Sequence, residues 1–414
     1  MKKLLIGAVA DDFTGASDAA SFLAAAGIPT VLYNGVPKTP GESAKEAEAA
    51  VVALKTRTMP NTQAVEESME AFRWLKHAGA GQLYLKYCST FDSTPEGNIG
   101  PVADAVMDEY QIPYTVLCPS LPVNGRKVKD GKLYVNGVLL EDSPMKDHPL
   151  TPMRESSIPR LMEPQSKYPV FPVKLEKIGY RPEERCYLVP DYYEDSHGDR
   201  IAESYMDLPF LTGGSGLLGA LGRQLRKKEQ KVEGKAEKFL YPESEGKALL
   251  IAGSCSAITL KQIGDYRKKG YPCLEINPIA VLSDPGEEER IWKWVCETGS
   301  GGLIYSSAEP EKLKESQKIG KELAAETLEQ LFSRLAVRAM KNGCERIIVA
   351  GGETSGAVTR ALGYQAFHIG ESVATGVPVM VPVTNPKLRL VLKSGNFGTE
   401  DFFERALRMT GREV

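Results

Sequence analysis

Two adjacent carboxylates follow the first apolar run of the chain. Residues 4–9 are predicted to form a buried strand, and Asp11 and Asp12 lie in the short segment after it. Carboxylates at the end of a strand can bind sugar hydroxyls, hold Mg²⁺ or act as a base. Either side chain can instead accept hydrogen bonds from the free N–H groups of the next helix. This pattern alone leaves both interpretations open.

A longer polar loop, residues 86–100, follows the predicted strand 82–86. Its sequence, KYCSTFDSTPEGNIG, combines a lysine, an aspartate and an asparagine with several hydroxyl groups. Such a loop can encircle a polyol and pair the Asp92 carboxylate with the Lys86 cation. The alternative is a polar loop that only caps a helix beginning at Pro101.

A single arginine, Arg57, follows the predicted strand 50–54. Its planar guanidinium group can bind a carboxylate through two parallel hydrogen bonds. We therefore predict that Arg57 contacts an acidic ligand, and a solvent-exposed arginine is the alternative.

The second half of the chain carries glycine- and hydroxyl-rich loops after three predicted strands. These loops are residues 253–256, 350–356 and 393–398, and they follow strands 248–252, 346–349 and 389–392. Glycine lets the backbone approach a ligand closely, and backbone N–H groups can hold phosphate oxygens. We predict anion binding here, against tight turns without a ligand.

Two other patterns have weaker functional interpretations. Residues 214–219 match the dinucleotide fingerprint G-x-G-x-x-G, but a charged stretch without a clear strand follows them. A nicotinamide-dependent hydroxy-acid dehydrogenase is therefore a minor alternative.

Asp18 lies in the predicted helix 14–26, and we expect it on an exposed face. A conventional P-loop of the form G-x-x-x-x-G-K-[S/T] is absent from the sequence.

The elements that must position these loops alternate along the chain. Near-continuous apolar strands separated by helices, such as 14–26 and 62–77, predict α/β domains with mainly parallel sheets. Further strands are predicted at residues 30–33, 114–118, 186–190, 208–212 and 302–306. Asn136-Gly137, between the runs 128–135 and 138–140, predicts a β-hairpin. Ligands of such sheets bind outside the carboxyl ends of the strands, where all these loops lie.

A charged stretch, residues 223–247, divides the two series of strands. We interpret it as an exposed helix end and a linker, with a domain boundary near residue 243. The predicted domains are residues 1–243 and 244–414. A solvated helix face inside one domain is the alternative.

The composition excludes several classes of protein. The 414 residues include 51 Lys and Arg against 54 Asp and Glu, a net charge of -3 that predicts neither a nucleic-acid nor a membrane partner. The longest apolar runs fall short of the roughly 18–20 residues that span a bilayer. Seven scattered cysteines predict a reduced, cytoplasmic protein without a disulfide framework. The four histidines lack metal-ligand spacing, so no metal-binding residues are predicted. A homodimer is left open.

The strand-end motifs together resemble the four-carbon acid sugar kinase family. They are residues 11–15, 92–100, 352–356 and 393–398, in the order that the family shows. The resemblance implies an N-terminal domain that binds the sugar acid and a C-terminal domain that binds ATP with Mg²⁺. It also implies that the substrate and ATP meet in the cleft between the domains.

One branch of the family fits best. Residues 86–95 resemble the branch that phosphorylates 3-oxo-tetronates, whereas threonate and erythronate kinases carry a shorter Lys-Lys-Ile-Asp-Ser-Thr-Leu-Arg version. Residues 148–153 and 253–256 are similar to the same branch. Glu96 stands where branch members often carry arginine, and we expect it to point to solvent. A D-threonate or erythronate 4-kinase is the first alternative, and a non-catalytic sugar-acid-binding protein is a lower one.

The resemblance also implies roles for individual residues. Asp92, or less favourably Asp12, accepts the proton of the attacking O4 hydroxyl. The implied substrate-binding residues are Asp11, Arg57, Lys86, Ser89, Thr90, Ser93 and Asn98. The implied ATP-binding residues are Ser254, Ser256, Gly352, Glu353, Thr354, Ser355, Gly395 and Asn396.

Overall fold

The computed structural model describes residues 4–38, 47–148, 151–233, 244–306 and 321–411. The chain forms two compact units, Met1–Lys238 and Phe239–Val414. Each unit is α/β with a mainly parallel sheet, so the predicted fold class is confirmed. The predicted boundary near residue 243 falls outside the described residues, as do Pro149 and Leu150 of the 148–153 motif.

The N-terminal unit contains a long parallel sheet and a small hairpin sheet. Its described strands are β1 (Ile6–Ala10), β2 (Thr30–Asn34), β3 (Ala49–Ala53), β4 (Gln82–Lys86), β5 (Tyr114–Cys118), β6 (Arg126–Lys129), β7 (Lys132–Val135), β8 (Val138–Leu139), β9 (Val170–Val173), β10 (Cys186–Pro190) and β11 (Phe210–Gly213). Its described α-helices are α1 (Phe13–Ala25), α2 (Asn61–His77), α3 (Ile99–Glu109), α4 (Ile158–Met162), α5 (Asp195–Tyr205) and α6 (Ser215–Glu233).

The strands of the long sheet run β2-β3-β1-β4-β11-β5-β10-β9, and each neighbouring pair is parallel. Every residue of β1, β3, β4, β5 and β10 is buried, as expected for strands covered on both faces. On one covering helix, α2, the buried side chains Ala64, Ser68, Phe72 and Leu75 recur at helical spacing. The carboxyl ends of all these strands therefore lie at one edge of the sheet.

The predicted hairpin is present, with an additional turn. Strands β7 and β8 pair around Asn136 and Gly137, whose φ angles of 52° and 89° give the turn that Asn-Gly favours. The run 128–135, predicted as one strand, is divided by Asp130 and Gly131, which also have positive φ angles. This second turn folds β6 back on β7.

The C-terminal unit is built around a second sheet. Its described strands are β12 (Lys247–Ala252), β13 (Cys273–Glu275), β14 (Gly302–Tyr305), β15 (Cys344–Ala350), β16 (Ala366–Ala374), β17 (Val377–Pro382) and β18 (Arg389–Lys393). Its described α-helices are α7 (Ala257–Lys268), α8 (Pro278–Ser283), α9 (Glu287–Thr298), α10 (Lys321–Lys341), α11 (Gly352–Leu362) and α12 (Phe402–Thr410).

In this second sheet, five parallel strands of the described chain run β13-β14-β12-β15-β18, and β17 and β16 continue it in antiparallel pairing. The sequence did not predict β16 and β17. The proline residues of β17 and the polar Gly370-Glu371-Ser372 stretch of β16 hide their strand character. No helix in the described ranges is long and apolar enough to cross a membrane.

The glycine run 214–219 has a packing explanation. A Cβ atom at Gly216 would lie 2.5 Å from the Ser120 carbonyl oxygen, and one at Gly219 would lie 2.8 Å from the Phe22 ring. These glycines let α6 pack closely on α1 and on the segment after β5. Their spacing therefore has a structural cause without a dinucleotide.

Candidate active site

One candidate site lies at the carboxyl edge of the N-terminal sheet. Strands β3, β1 and β4 are neighbours in parallel register. The segments that follow them bring together Asp11, Asp12, Arg57 and Asp92, which we call the arginine cluster. These residues are separated by up to 81 positions in the sequence (92 − 11), so the sheet order creates the site.

Arg57 is the centre of the arginine cluster. Its Nε and Nη2 atoms donate to the two carboxylate oxygens of Asp11 at 2.8 and 3.0 Å. Asp12 Oδ1 lies 3.2 Å from Nη2, and Asp92 Oδ2 lies 3.8 Å from Nη1. The last distance is too long for a hydrogen bond. Arg57 is thus held by internal carboxylates while Nη1 is only loosely engaged.

The two adjacent aspartates have different tasks. Asp12 is the N-cap of α1, where its Oδ1 accepts from the Gly15 N–H at 2.7 Å and its Oδ2 accepts from the Thr14 hydroxyl at 3.0 Å. Asp11 instead orients Arg57. The capping interpretation is therefore confirmed for Asp12, and a ligand-binding or catalytic task for Asp11 stays a prediction.

The pKa values of these two carboxylates are shifted in opposite directions. Burial raises the pKa of Asp11 despite the neighbouring Arg57. Burial also opposes ionisation of Asp12, but the Arg57 and Lys86 charges and the cap hydrogen bonds outweigh it and lower its pKa. Burial opposes the charge of Arg57 as well, yet Asp11 and Asp12 raise its pKa well above the usual value. Asp12 is consequently the weaker proton acceptor of the pair.

Asp92 is presented on an unusual turn. Phe91 and Asp92 have φ angles of 67° and 38°, a region that non-glycine residues avoid at a cost of about 1–3 kcal/mol each. The Phe91 ring is buried against Tyr87, with 5.7 Å between ring centroids. Asp92 Oδ1 accepts from the Thr90 hydroxyl at 2.6 Å. The turn is held by packing and leaves Asp92 Oδ2 directed toward Arg57.

A pocket opens beside the arginine cluster. Its lining is Asp11, Thr56, Arg57, Leu85, Tyr87, Asp92, Ser93, Asn98, Ile99 and Val102. Lys86, Ser89 and Thr90 stand outside this lining. Five of the predicted site residues thus converge on one concavity, and Glu96 is exposed, as expected.

Two pocket residues are held by partners that the sequence did not indicate. Asn98 donates to the carbonyl oxygens of Thr56 and Met59 at 2.6 and 2.8 Å, which ties the Arg57 segment to the start of α3. The Ser93 hydroxyl donates to Gln165 Oε1 at 3.1 Å. No motif surrounds Gln165, so the sequence carried no signal for its contact with this loop.

Lys86 is buried beneath the arginine cluster. Its Nζ donates to the Tyr87 carbonyl at 3.0 Å and lies 4.0 Å from Asp18 Oδ2. The expectation that Asp18 lies on an exposed helix face is wrong, because it is 7% exposed and accepts a hydrogen bond from Ser215. Burial raises the pKa of Asp18 despite these two partners. This face of α1 packs on α6, which brings a charged residue inside.

The residues between Lys86 and Asp92 are connected to one another. Thr90 donates to Asp92, and Cys88 Sγ lies 3.0 Å from the Thr90 hydroxyl. Burial raises the pKa of the Cys88 thiol to about 12, so it is not a nucleophile at neutral pH. Ser89 is half-buried. Thr90 thus orients Asp92 with its only hydroxyl proton.

A second candidate site lies at the carboxyl edge of the C-terminal sheet. Strands β12, β15 and β18 are parallel neighbours, and residues 253–256, 351–355 and 393–396 follow or end them. We call these three segments the glycine-loop cluster. The Gly395 carbonyl oxygen accepts from the Ser256 and Thr259 hydroxyls at 2.6 and 3.0 Å. This joins the first and third loops.

Close backbone approach explains the glycines of this cluster. A Cβ atom at Gly253 would lie 2.1 Å from Thr354 Oγ1, and one at Gly395 would lie 2.4 Å from Ser254 Oγ. Gly351 has a φ angle of 136°, which favours glycine. A Cβ atom at Gly352 would meet nothing within 4 Å, so space remains over the start of α11.

The start of α11 is suited to an anion. Its N-cap, Gly351, forms no side-chain cap hydrogen bond, and the next residues that begin the helix are Gly352, Glu353 and Thr354. Uncapped N–H groups at a helix start attract phosphate oxygens. Ser355 is buried, whereas Glu353 and Asn396 are exposed. Ser256 both caps α7 and donates to Gly395, so it positions the loop.

Lys393 is a buried residue of this cluster that was not among the predicted ATP-binding residues. It is the last residue of β18 and is 1% exposed, and burial lowers its pKa to about 8. A lysine that ends an apolar strand, as in Leu390-Val391-Leu392-Lys393, is the signal that could have identified it. Lys86 ends β4 in the same way.

The ligands that Mg²⁺ requires differ from the groups that bind phosphate. Within the described residues, no group of three His, Cys, Asp or Glu side chains is arranged to hold a metal ion. Mg²⁺ that arrives with a nucleotide keeps several waters and needs few protein ligands besides the phosphates. The glycine-loop cluster is therefore compatible with a metal–nucleotide complex and offers no separate metal cage.

Family models match both units. Residues 6–221 match a model described as a sugar-binding N-terminal domain, and residues 249–403 match one described as a nucleotide-binding C-terminal domain. The chain belongs to the four-carbon acid sugar kinase family, as the sequence motifs predicted.

Individual relatives match nearly the whole chain. A 3-oxo-tetronate kinase of Salmonella typhimurium is 42% identical over 98% of this chain and 99% of its own. A 3-oxo-tetronate kinase of Brucella melitensis is 40% identical over 99% of this chain and 96% of its own. The crystal structure of a Haemophilus influenzae protein, 39% identical, has a TM-score of 0.82 and covers 97% of this chain and 98% of its own.

Proposed function

We propose that this protein is an ATP-dependent kinase that phosphorylates O4 of a 3-oxo-tetronate. One observation carries the proposal. Identity of about 40% to 3-oxo-tetronate kinases extends over nearly the full length of both chains, and both strand-edge clusters lie within it. The substrates are then a small sugar acid and ATP.

The N-terminal unit is proposed to bind the sugar acid. Its pocket presents hydrogen-bond acceptors on Asp11, Asp92 and Ser93 and a donor on Arg57, which suits a molecule with hydroxyl groups and one carboxylate. The loosely engaged Nη1 of Arg57 is the group we assign to the substrate carboxylate. Lys86 lies outside the lining, so we assign it the task of balancing the charges of Asp12 and Asp18.

The C-terminal unit is proposed to bind the ATP phosphates. The uncapped start of α11, the space over Gly352 and the buried Lys393 together favour a chain of negative charge. The candidate contacts are Ser254, Gly352, Glu353, Thr354, Ser355, Gly395 and Asn396, and Ser256 holds the loops together. Mg²⁺ bound to ATP neutralises the charge that develops on the phosphates.

Asp92 is the proposed proton acceptor. Phosphoryl transfer requires an oriented hydroxyl more than a strong base. Asp92 lines the pocket, and the Thr90 hydrogen bond fixes one carboxylate oxygen while the other faces Arg57. The O4 hydroxyl gives its proton to this carboxylate as the O4–phosphorus bond forms and ADP leaves. Asp12 is the weaker candidate, because it caps α1.

The product has its ketone β to the carboxylate, so it loses CO₂ readily. Decarboxylation of a 3-oxo-tetronate 4-phosphate gives dihydroxyacetone phosphate. The substrate can be supplied by oxidation of a four-carbon hydroxy acid at C3 or by isomerisation of the 2-oxo acid, and a decarboxylase is the reaction class that consumes the product.

The test is an ADP-release assay over a panel of four-carbon acids, each with and without C3 oxidised. We expect kcat/KM for the 3-oxo acids to exceed that for threonate and erythronate by at least about tenfold, since a ketone and a hydroxyl differ in hydrogen-bond donation. Equal or reversed values would reassign the protein to the threonate or erythronate kinases. Absence of ATP turnover with every acid would contradict the kinase function.

A further inference from the structure

We propose that Lys393 supplies the positive charge that binds the nucleotide phosphates and makes that binding depend on pH, an inference that rests on the proposed kinase function. Lys393 ends β18, the strand whose loop contributes Gly395 and Asn396 to the glycine-loop cluster. The Lys393 side chain is 1% exposed, so its ammonium group lies away from bulk solvent.

The surroundings of the Lys393 ammonium group are polar but uncharged. Its Nζ donates to the Thr259 hydroxyl at 3.0 Å and to the Ser394 and Gly395 carbonyls at 3.2 and 3.0 Å. The Phe402 ring centroid lies 5.5 Å away. Within the described ranges no carboxylate forms an ion pair with it. Lys86, the corresponding strand-end lysine of the other unit, has Asp18 at 4.0 Å.

An unneutralised buried ammonium group is costly unless an anion approaches it. Its three hydrogen-bond partners compensate in part, and they also fix the turn at 394–396. A phosphate oxygen can replace the longest of these bonds, the one to the Ser394 carbonyl. The charge therefore serves a ligand that the glycine loops and the start of α11 are already shaped to accept.

The pH dependence follows from burial. Burial alone lowers the pKa of Lys393 to about 8, so the free protein loses this charge as the pH rises through that range. A bound phosphate favours the charged form and raises the pKa. The groups that face Nζ are the Thr259 hydroxyl of α7, the Phe402 ring of α12 and two loop carbonyls, and none of them titrates near pH 8. Binding near pH 8 must therefore take up a proton.

The test is calorimetric titration of ADP into the full-length protein, in two buffers of different ionisation enthalpy. For the wild type we expect proton uptake of roughly half a proton at about pH 8, falling as the pH is lowered to about 7. Lys393→Met should weaken ADP binding about tenfold or more and abolish the uptake. Lys393→Arg should retain binding without uptake, because arginine does not titrate in this range.

The matched control is Lys387→Met, since Lys387 is an exposed lysine of the same unit. It should bind ADP with unchanged affinity and proton uptake. Wild-type protein that binds ADP without proton uptake at pH 8, or Lys393→Met protein that binds as the wild type does, would overturn the role of Lys393 and leave the kinase function intact. Wild-type protein that binds no ADP at any pH would overturn the nucleotide site itself.

Discussion

The arginine cluster and the glycine-loop cluster occupy the same place in two similar sheets, yet they are built from different parts of the chain. Both lie after three adjacent parallel strands, and both have a buried lysine at the end of one strand. The first cluster is made of charged side chains that pair with one another. The second is made of backbone groups, small side chains and one cation without an acidic partner in the described residues.

This difference indicates what each cluster can recognise. In the arginine cluster the one guanidinium group is already paired with carboxylates of the protein, so a ligand gains mainly from oriented donors and acceptors. In the glycine-loop cluster the positive charge is not balanced, and close backbone contacts define the space. We therefore expect loss of a charge to impair the arginine cluster most. In the glycine-loop cluster we expect a strong effect from an added methyl group.

Among the substitutions considered, Asp92→Asn should have the largest effect on catalysis. Asparagine keeps the shape of the side chain but cannot accept the O4 proton. We expect kcat to fall by at least about 10²-fold with little change in the KM for ATP. Steady-state kinetics with a 3-oxo-tetronate and Mg-ATP measure both values.

The control for Asp92 is Asp199→Asn, since Asp199 is an exposed aspartate of the same unit. Its kinetics should equal those of the wild type. A near-normal kcat for Asp92→Asn would transfer the proton-accepting role to Asp12 or to no side chain at all.

Arg57→Gln tests how much the ion pairs of Arg57 with Asp11 and Asp12 stabilise the protein. The substitution leaves Asp11 and Asp12 facing each other without their shared cation. Breaking a buried ion pair costs about 3–5 kcal/mol, and because the Arg57 side chain is 24% exposed we expect about 2–3 kcal/mol here. Urea unfolding at pH 7 measures the loss. The double variant Asp11→Asn with Arg57→Gln should recover part of it, and equal stability of the single and double variants would show that the carboxylates do not repel each other.

Gly395→Ala tests the steric half of the comparison. The added methyl group would lie 2.4 Å from Ser254 Oγ and 3.1 Å from Ser256 Oγ, so these side chains or the loops that carry them must move. We expect the KM for ATP to rise about tenfold while the KM for the sugar acid stays constant.

The control for Gly395→Ala is Gly264→Ala, because Gly264 lies inside α7 with open space around its Cβ position. It should leave kinetics unchanged and stabilise the protein by about 0.5–1 kcal/mol. A Gly395→Ala enzyme with wild-type kinetics would remove this loop from the site.

The two clusters also differ in what could be predicted from sequence. The strands that position them were predicted to within a few residues, because buried parallel strands are continuous apolar runs between helices. Strands β4, β5 and β10 match their predicted bounds, and β18 extends one residue beyond its predicted end. Strands β16 and β17 were missed, since polar residues and prolines interrupt their pattern.

The partners of each side chain were harder to predict. The sequence indicates that Asp11 and Asp12 can bind a ligand or cap a helix. That Asp11 pairs with Arg57 while Asp12 caps α1 depends on φ angles and sheet order, which the sequence does not show. Asp18 was placed outside because a charged residue on a helix is usually exposed. Its burial is explained by Ser215 and Lys86, which are distant in sequence and reach it only in the folded unit.

Ser215→Ala should have the smallest effect, and it tests how the acidic neighbour of Lys86 is held. Ser215 donates a hydrogen bond to Asp18, the acidic neighbour that Lys86 has and Lys393 lacks in the described chain. The pKa of Asp18 is raised in the folded protein, so its contribution to stability is present at low pH and is lost as the pH rises through the folded pKa. The Ser215 hydroxyl opposes that loss by stabilising the ionised carboxylate.

Removal of the Ser215 hydroxyl should therefore destabilise the protein by about 1–2 kcal/mol at pH 7 and by less at pH 4.5, where more Asp18 is protonated. Urea midpoints at the two pH values measure this difference, with Ser283→Ala as a control because that exposed hydroxyl bonds only the Ile279 carbonyl in its own helix. A loss for Ser215→Ala that is independent of pH would contradict this prediction and would mean that Asp18 does not titrate between the two pH values.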